Sequence, residues 1–466
     1  MYKQTRFRFS FGSYDFDAEI WDGISSLPQD SRIGLDTETT LIQPGKVPDI
    51  VTLQVYYPSL DFVHLIQGKE LAARYLEQML DLNPASELIW HTACFDYEVL
   101  GGKKNVKLFR SLKQDRSFQK FIDNTWETYT CKRWTDVGIR WRLKLTEEGL
   151  FNGPVKYSLD HVTQELLGIV LPKEDSIRKT FVPGMVLSDE HIRYACTDPV
   201  ATVKCRDCMP EPYPTEDIQL LASIVLNDIS LRGMYVDKKE LNSLTKKFTE
   251  VCKINDKVLH TFGYFPKRDG QETVKGCNGR LLKIMENIEE RCSLVFPRSE
   301  KKGVISTSSK VIEQFPDKVH PFLQALKDGQ NASKIIGTYL NPKFIGDDGR
   351  VHTSFTLLLK TGRTSSANPC MQVLPRGGGV RRQYRAAPGS VIIATDYCQQ
   401  ELIALAQNCY IKYGYSVMRD LINQGNDLHN RFAQTMRELI VLADNVDARQ
   451  GGKAYNFGKD KLVRCF

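Results

Sequence analysis

Asp36 and Glu38 stand two residues apart in the segment IGLDTE (33–38), whose alternation reads as a β-strand. A period of two puts both carboxylates on one face and turns Ile33, Leu35 and Thr37 to the other. Two hard oxygen donors side by side suit a divalent cation such as Mg2+. Alone the pair says little, because solvated acids at strand ends are common. Three further residues change the reading. Asp96 lies in WHTACFDYEVL, where an apolar segment has just ended. Tyr194 and Asp198 in YACTDPVA are four apart, hence on one face of a helix. Four gathered carboxylates repel one another unless cations sit among them, so Asp36, Glu38, Asp96 and Asp198 point to metal rather than structure. Two cations about 4 Å apart activate a water and stabilise the leaving oxygen of a phosphodiester. Tyr194 is suited to orienting that water.

A second set of residues lies toward the other end. Asp396 ends the apolar run SVIIATDY (390–397), where a carboxylate can also reach metals. The run RGGGVRRQYR (376–385), with Arg381 inside it, is basic and glycine-rich and suits phosphate contacts. Arg449, Lys453 and Phe457 recur every four residues, giving one helical face two cations and a ring. Such a face suits a nucleotide, with cations for the triphosphate and the ring for base and sugar.

The elements that must position these groups follow from pattern. Residues 33–38, 51–57, 61–66 and 87–92 are short, β-branched and aromatic, and separated by turn signals; they read as one sheet. KELAARYLEQMLDL (69–82) has helical spacing. Residues 1–208 therefore form an α/β domain. Pro210, Pro212 and Pro214 make a stiff linker over 209–215. Helical patterns resume at 216–231, 238–260 and 278–291, strands at 351–359 and 390–397, and a helix at 399–412.

The first set of motifs resembles the three exonuclease motifs of proofreading DNA polymerases and related nucleases, in the branch with a motif tyrosine. Thr92 stands where the family's HN-x-x-FD has Asn. The resemblance implies a ribonuclease H-like fold, two Mg2+ or Mn2+ ions and removal of nucleotides from a 3′ end. YSLDHVTQELLGIVLPK (157–173) resembles the stretch between the family's second and third motifs, and LNDISLRGMYVD (226–237) its entry into the polymerase region. TGRTSSANPCMQVLP (361–375) resembles the family A polymerase stretch TGRLSSxxPNLQNIP, which implies a DNA contact for Arg363 near the primer end. SVIIATDYCQQELIALAQ (390–407) resembles motif A; Asp396 is then a catalytic metal ligand and Glu401 the steric gate against a ribose 2′-OH. Gly425, Asp427, Leu428 and His429 resemble the fingers' GxDIH, whose His meets the incoming triphosphate. RQGGKAYNFG (449–458) resembles motif B.

The resemblance thus implies an α/β ribonuclease H-like exonuclease domain followed by an incomplete α+β right-hand polymerase. Its parts are a thumb (about 216–340), a partial palm (about 341–410) and partial fingers (about 411–466). The expected function is template-directed DNA synthesis with 3′→5′ proofreading, on primer–template, single-stranded DNA and dNTPs, with Mg2+ at the polymerase site once completed. The family's motif C does not occur, and the likeness stops at Gly458. The expectation is therefore a frame interrupted there, a chain that cannot extend a primer alone, and possible completion by a second chain carrying motif C. The rivals are a stand-alone 3′ exonuclease with a DNA-binding polymerase remnant, and a non-catalytic DNA-binding module.

Charge fits a polyanion partner: of a net +7, residues 301–466 carry 23 Lys and Arg against 13 Asp and Glu, while the first 300 carry 40 against 43. Met1–Ser10 has no apolar run and no segment is long enough to span a bilayer, so the expectation is a cytoplasmic protein of a bacterium or a phage-infected cell. The compact form suits a phage enzyme. The 12 cysteines follow no framework spacing, and the lone Cys205–Cys208 CxxC has no second pair nearby.

Overall fold

The computed structural model describes residues 5–112, 134–150, 156–171, 175–213, 215–266, 277–292, 294–298, 303–316, 318–359 and 361–431. The chain divides into two compact units, residues 1–389 and 390–466.

The first unit opens with an antiparallel hairpin, β1 (Arg6–Phe11) and β2 (Tyr14–Ile20). An antiparallel meander follows: β3 (Arg32–Thr39), β4 (Ile50–Tyr57) and β5 (Phe62–Gln67). Then come α1 (Lys69–Leu82), β6 (Glu87–Trp90), α2 (Ala93–Val99), α3 (Val106–Leu112), β7 (Trp134–Asp136), α4 (Val137–Glu147), α5 (Leu159–Leu167), α6 (Asp175–Arg178) and α7 (Asp189–Asp207). The strand order is β1-β2-β5-β4-β3-β6-β7, with β6 parallel to β3 and β7 parallel to β6. An antiparallel meander continued by parallel strands, with helices on both faces, is the expected ribonuclease H-like arrangement. The strands at 33–38, 51–57 and 61–66 lie within a residue or so of their expected bounds. The fourth ends at Trp90 rather than 92, because Thr92 turns into the left-handed region. The hairpin was not anticipated, since Met1–Ser10 is read only for its lack of an apolar run. Its Phe7, Phe9 and Phe11 nevertheless alternate with Arg6, Arg8 and Ser10, and they pack with Phe16 and Ala18 on the core.

Both faces of the sheet are covered, so β4 (IVTLQVYY) is buried along its whole length. Ile33 and Leu35 join Tyr75, Leu76 and Met79 of α1 and Tyr97 of α2 on one face. Val51, Val63 and Leu65 meet α5 and α7 on the other. Between Val63 and Leu65 on β5, His64 turns to the α1 side at 4% exposure, its Nδ1 2.6 Å from the Tyr75 hydroxyl and its ring edge-on to Phe62. Burial pushes the imidazole down to about 4, against a small opposing pull from Asp22. A depressed histidine contributes stability that is present above its unfolded value of about 6.5 and lost as pH falls toward 4. The stability difference between the native protein and His64→Phe is expected to shrink by about 3 kcal/mol over that window. Urea denaturation of both proteins at pH 7 and pH 4 checks it; a pH-independent difference refutes it.

The proline-rich stretch leads into α8 (Glu216–Arg232), then β8 (Met234–Tyr235), α9 (Lys238–Thr261), α10 (Cys277–Cys292), α11 (Ser309–Ile312) and α12 (Pro321–Tyr339). Asp237 caps α9 by accepting from the Lys239 and Glu240 amides. Leu241, Leu244, Phe248 and Cys252 of α9 share a core with Ala332 of α12 and with Val380. β9 (Arg350–Val351) pairs with β8, and β10 (Ser354–Thr356) with β11 (Ser365–Ala367).

Two strand expectations need correction. The run 351–359 forms only these short strands, and Leu357 and Leu358 leave them. They pack with Leu220 and Ile224 of α8 into the same cluster as Trp90 and Trp134. Their apolar character thus comes from covering the first sheet. Residues 390–397 are not a strand. Among the described residues of the second unit there is no strand for them to pair with, and Val391, Ile393 and Tyr397 stand about 80% exposed. That unit holds α13 (Gln400–Tyr413) and α14 (Val417–Asn423). No described helix is long and apolar enough to cross a membrane.

Candidate active site

β3 carries Gly34, Asp36 and Glu38 on the face that α7 crosses. At Gly34 a Cβ would lie 2.6 Å from Val203 Cγ2 and 2.8 Å from the Pro199 carbonyl oxygen. The absent side chain therefore lets α7 sit directly on the strand, with Asp198 over the two carboxylates. Donor oxygens of Asp36, Glu38 and Asp198 all lie within 4.8 Å of one another, the one such group among the described residues. At an effective dielectric of ~20, charges that close repel by about 3 kcal/mol per pair. A divalent cation between them reverses that sign, and all-oxygen donors suit Mg2+ or Mn2+.

Tyr194 lies one turn before Asp198 on α7, 8% exposed against the Phe181 ring. Burial first, then the Glu38 and Asp198 carboxylates, push its phenol well above the usual range, so the hydroxyl stays protonated. Ser188 and His191 close a capping box that starts α7.

Asp96 stands apart from the three-carboxylate group. It is buried on α2, and its Oδ1 accepts from the Thr37 hydroxyl at 2.6 Å, Thr37 being the residue between Asp36 and Glu38. Burial raises its carboxyl to about 7; the Thr37 bond opposes that and nearby Asp136 adds to it. Asp136, missed in the sequence, caps α4 through the Ile139 amide and holds α2 through the Ala93 amide. Its signal was an Asp directly before a helical pattern, in WTDVGIRW.

Thr92, at the entry to α2, has φ 68° and ψ 46°. A β-branched residue is strained there, whereas Asn tolerates the left-handed region. Thr92→Asn is expected to stabilise the protein by about 1 kcal/mol, raising Tm by roughly 2–4 °C. An unchanged or lower Tm in thermal unfolding removes the strain account.

A cleft of about 530 Å3 opens in the same unit. Its walls include the loop 42–48, Thr92, Phe95, Tyr157, Asn227 and Thr356. The loop follows β3 directly; Asp36, Glu38, Tyr194 and Asp198 are not among the residues that line the cleft.

The second set of expected residues is less gathered. Arg363 and Arg381 are exposed in the first unit, Arg381 Nη2 donating to the Leu374 carbonyl at 2.9 Å. In the second unit Asp396 and Glu401 are exposed, and His429 is buried. Gln399 Oε1 accepts from the Leu428 amide at 3.0 Å, tying the His429 segment to the start of α13. Arg449, Lys453 and Phe457 lie outside the described residues. Cys205 is in the core beside Thr163, and Cys208 is exposed.

Residues 16–211 match the 3′-5′ exonuclease family profile, and residues 282–459 match DNA polymerase family A. Among characterised bacterial proteins, DNA polymerase I of Deinococcus radiodurans is 31% identical over 52% of this chain and 25% of its own length. Thermostable DNA polymerase I of Thermus aquaticus is 31% identical over 52% of this chain and 28% of its own length. For DNA polymerase I of Chloroflexus aurantiacus the figures are 27%, 57% and 29%. The chain thus spans less than a third of the length of these relatives. In fold it resembles the POL domain of Pol1 from M. smegmatis, solved with DNA primer-template and dNTP. There the TM-score is 0.58 at 19% identity, over 92% of this chain and 68% of that one.

Proposed function

The chain belongs to the family A DNA polymerases and carries their 3′-5′ exonuclease domain ahead of the polymerase residues, and on that premise we propose that its first domain hydrolyses single-stranded DNA from the 3′ end. The observation that carries this reading is the approach of Asp36, Glu38 and Asp198 to within 4.8 Å inside the matched domain. These three residues would hold divalent metal, Mg2+ or Mn2+, with Asp96 bonded to Thr37 between the two strand carboxylates. The metal would supply an acidified water and charge neutralisation at the phosphodiester. The neutral Tyr194 hydroxyl holds the attacking water by a hydrogen bond. Water adds to phosphorus as the bond to the penultimate nucleotide's 3′ oxygen breaks, and a nucleoside 5′-monophosphate leaves. In this reading the cleft walled by the loop that follows β3 takes the strand, with Phe95 in its lining as a ring for a base.

The polymerase residues serve template-directed DNA synthesis in the same reading. Arg363 and Arg381 contact DNA, Asp396 binds metal, and Glu401 excludes the ribonucleotide. His429, Arg449, Lys453 and Phe457 meet the dNTP. The expected result is release of 5′-mononucleotides from 5′-labelled single-stranded DNA, requiring Mg2+ or Mn2+ and stopped by EDTA. Purified protein that leaves the strand intact with either metal overturns the exonuclease reading.

A further inference from the structure

The loop between β3 and β4 follows Thr39, one residue beyond Glu38, and forms one wall of the cleft. Its base is closed by the Thr40 amide donating to the Asp49 carbonyl at 3.0 Å and the Asp49 amide donating to the Thr40 hydroxyl at 3.1 Å. Beyond that base it has little of its own to hold it. Residues 41–47 are exposed apart from Gly45, and they include Leu41, Ile42 and Val47 at 62%, 55% and 45% exposure. The reason Gly45 differs is a residue about 300 positions later in the chain. The His352 ring occupies the space a Cβ would take: such an atom at Gly45 would lie 2.3 Å from both Cε1 and Nε2.

His352 is itself tightly held. Its Nδ1 is 2.8 Å from the Ser230 carbonyl of α8, and its Nε2 is 3.2 Å from the Asp348 carboxylate. Gly233, at the end of α8, also leaves room for the ring, since a Cβ there would come within 2.7 Å of it. Beside it Lys46 Nζ pairs with Asp347 at 3.2 Å, an exposed bridge worth little by itself. The loop is thus shut at its base by β-strand neighbours and pinned at its tip by a histidine of the polymerase part.

We infer that His352 is a positioning residue for the exonuclease: it fixes the loop 41–48 as a wall of the strand-binding cleft, so that the polymerase part sets how the exonuclease domain holds DNA. This rests on the exonuclease reading above. Removing the pin frees the loop but leaves Asp36, Glu38 and Asp198 where β3 and α7 hold them. KM for a strand and kcat therefore separate.

The test compares His352→Ala, Gly45→Ala and the double variant in the full chain. On single-stranded DNA each single variant is expected to raise KM about tenfold with kcat within about twofold. Hydrolysis of the p-nitrophenyl ester of thymidine 5′-monophosphate, too small to reach the loop, is expected to stay unchanged. Gly45→Ala drives the loop off the ring by a clash that His352→Ala relieves, leaving only the strain of an alanine at φ 73°, so the double variant is expected to fall short of the sum of the two single effects. Unchanged KM in both single variants overturns the inference, and so do additive effects or an equal loss on the small ester. Tm read alongside separates loop release from unfolding: a variant that melts normally with native KM counts against the pin. If the native protein cleaves neither substrate, the exonuclease reading itself has failed, a different outcome from native cleavage with indifferent variants.

Discussion

Replacing Asp36 and Glu38 together by alanine is expected to lower metal-dependent degradation of single-stranded DNA on the order of 10³-fold or more. Of the three clustered carboxylates only Asp198 then remains, and one monodentate acid cannot hold a cation against water. Stability should move the other way. In the absence of metal the native cluster carries about 3 kcal/mol of repulsion per close pair, so the double variant is expected to melt no lower than the native protein in EDTA. With Mn2+ added, the native protein should gain Tm by linkage and the variant should not. Gel-resolved digestion and melting curves with and without Mn2+ measure both. Undiminished digestion by the double variant would sink the assignment of this site, and a large loss of Tm in EDTA would show that the carboxylates hold the fold together instead.

A comparably large effect is expected far from that site, at Arg140 on α4. Its side chain is 3% exposed and faces Glu216, 5% exposed, at the start of α8. Arg140 Nε lies 3.0 Å from both Glu216 oxygens, Nη2 donates to Oε1 at 2.8 Å, and Nη1 donates to the Met209 carbonyl at 2.8 Å. One guanidinium thus ties the end of the first domain to the first turn of α8. Burial raises the Glu216 carboxyl, and the bonds from Arg140 work against that. Arg140→Ala strands a buried acid and is expected to cost about 3–5 kcal/mol. Glu216→Leu combined with Arg140→Met removes both charges at similar volume and is expected to cost far less. Chemical denaturation of the single and double variants decides it. If the single variant costs less than about 1 kcal/mol, the tie is not what joins the two parts, because an exposed pair would cost that little.

The proline-rich stretch 209–215 reads as a spacer between independent parts. Around it lie Arg140 and Glu216, and the sheet's apolar cluster continues through Leu220, Ile224, Leu357 and Leu358. Linker composition reports the local stiffness of a chain, whereas burial across it depends on partners hundreds of residues apart. The same holds for Gly45 and His352, whose contact no local pattern announces.

What the sequence determined by itself was local and periodic. Alternation set β3 and the common face of Asp36 and Glu38. Four-residue spacing set Tyr194 and Asp198 on one side of a helix. The motif order named the family, because both periods are properties of the backbone and survive any packing. Tertiary structure alone decided what the faces meet. It placed Asp198 over β3 because Gly34 leaves α7 no side chain to clear. It bonded Asp96 to Thr37, the residue between the two strand carboxylates. It also left residues 390–397 exposed, where hydrophobicity had suggested a strand, since a strand exists only where another backbone lies alongside to take its hydrogen bonds.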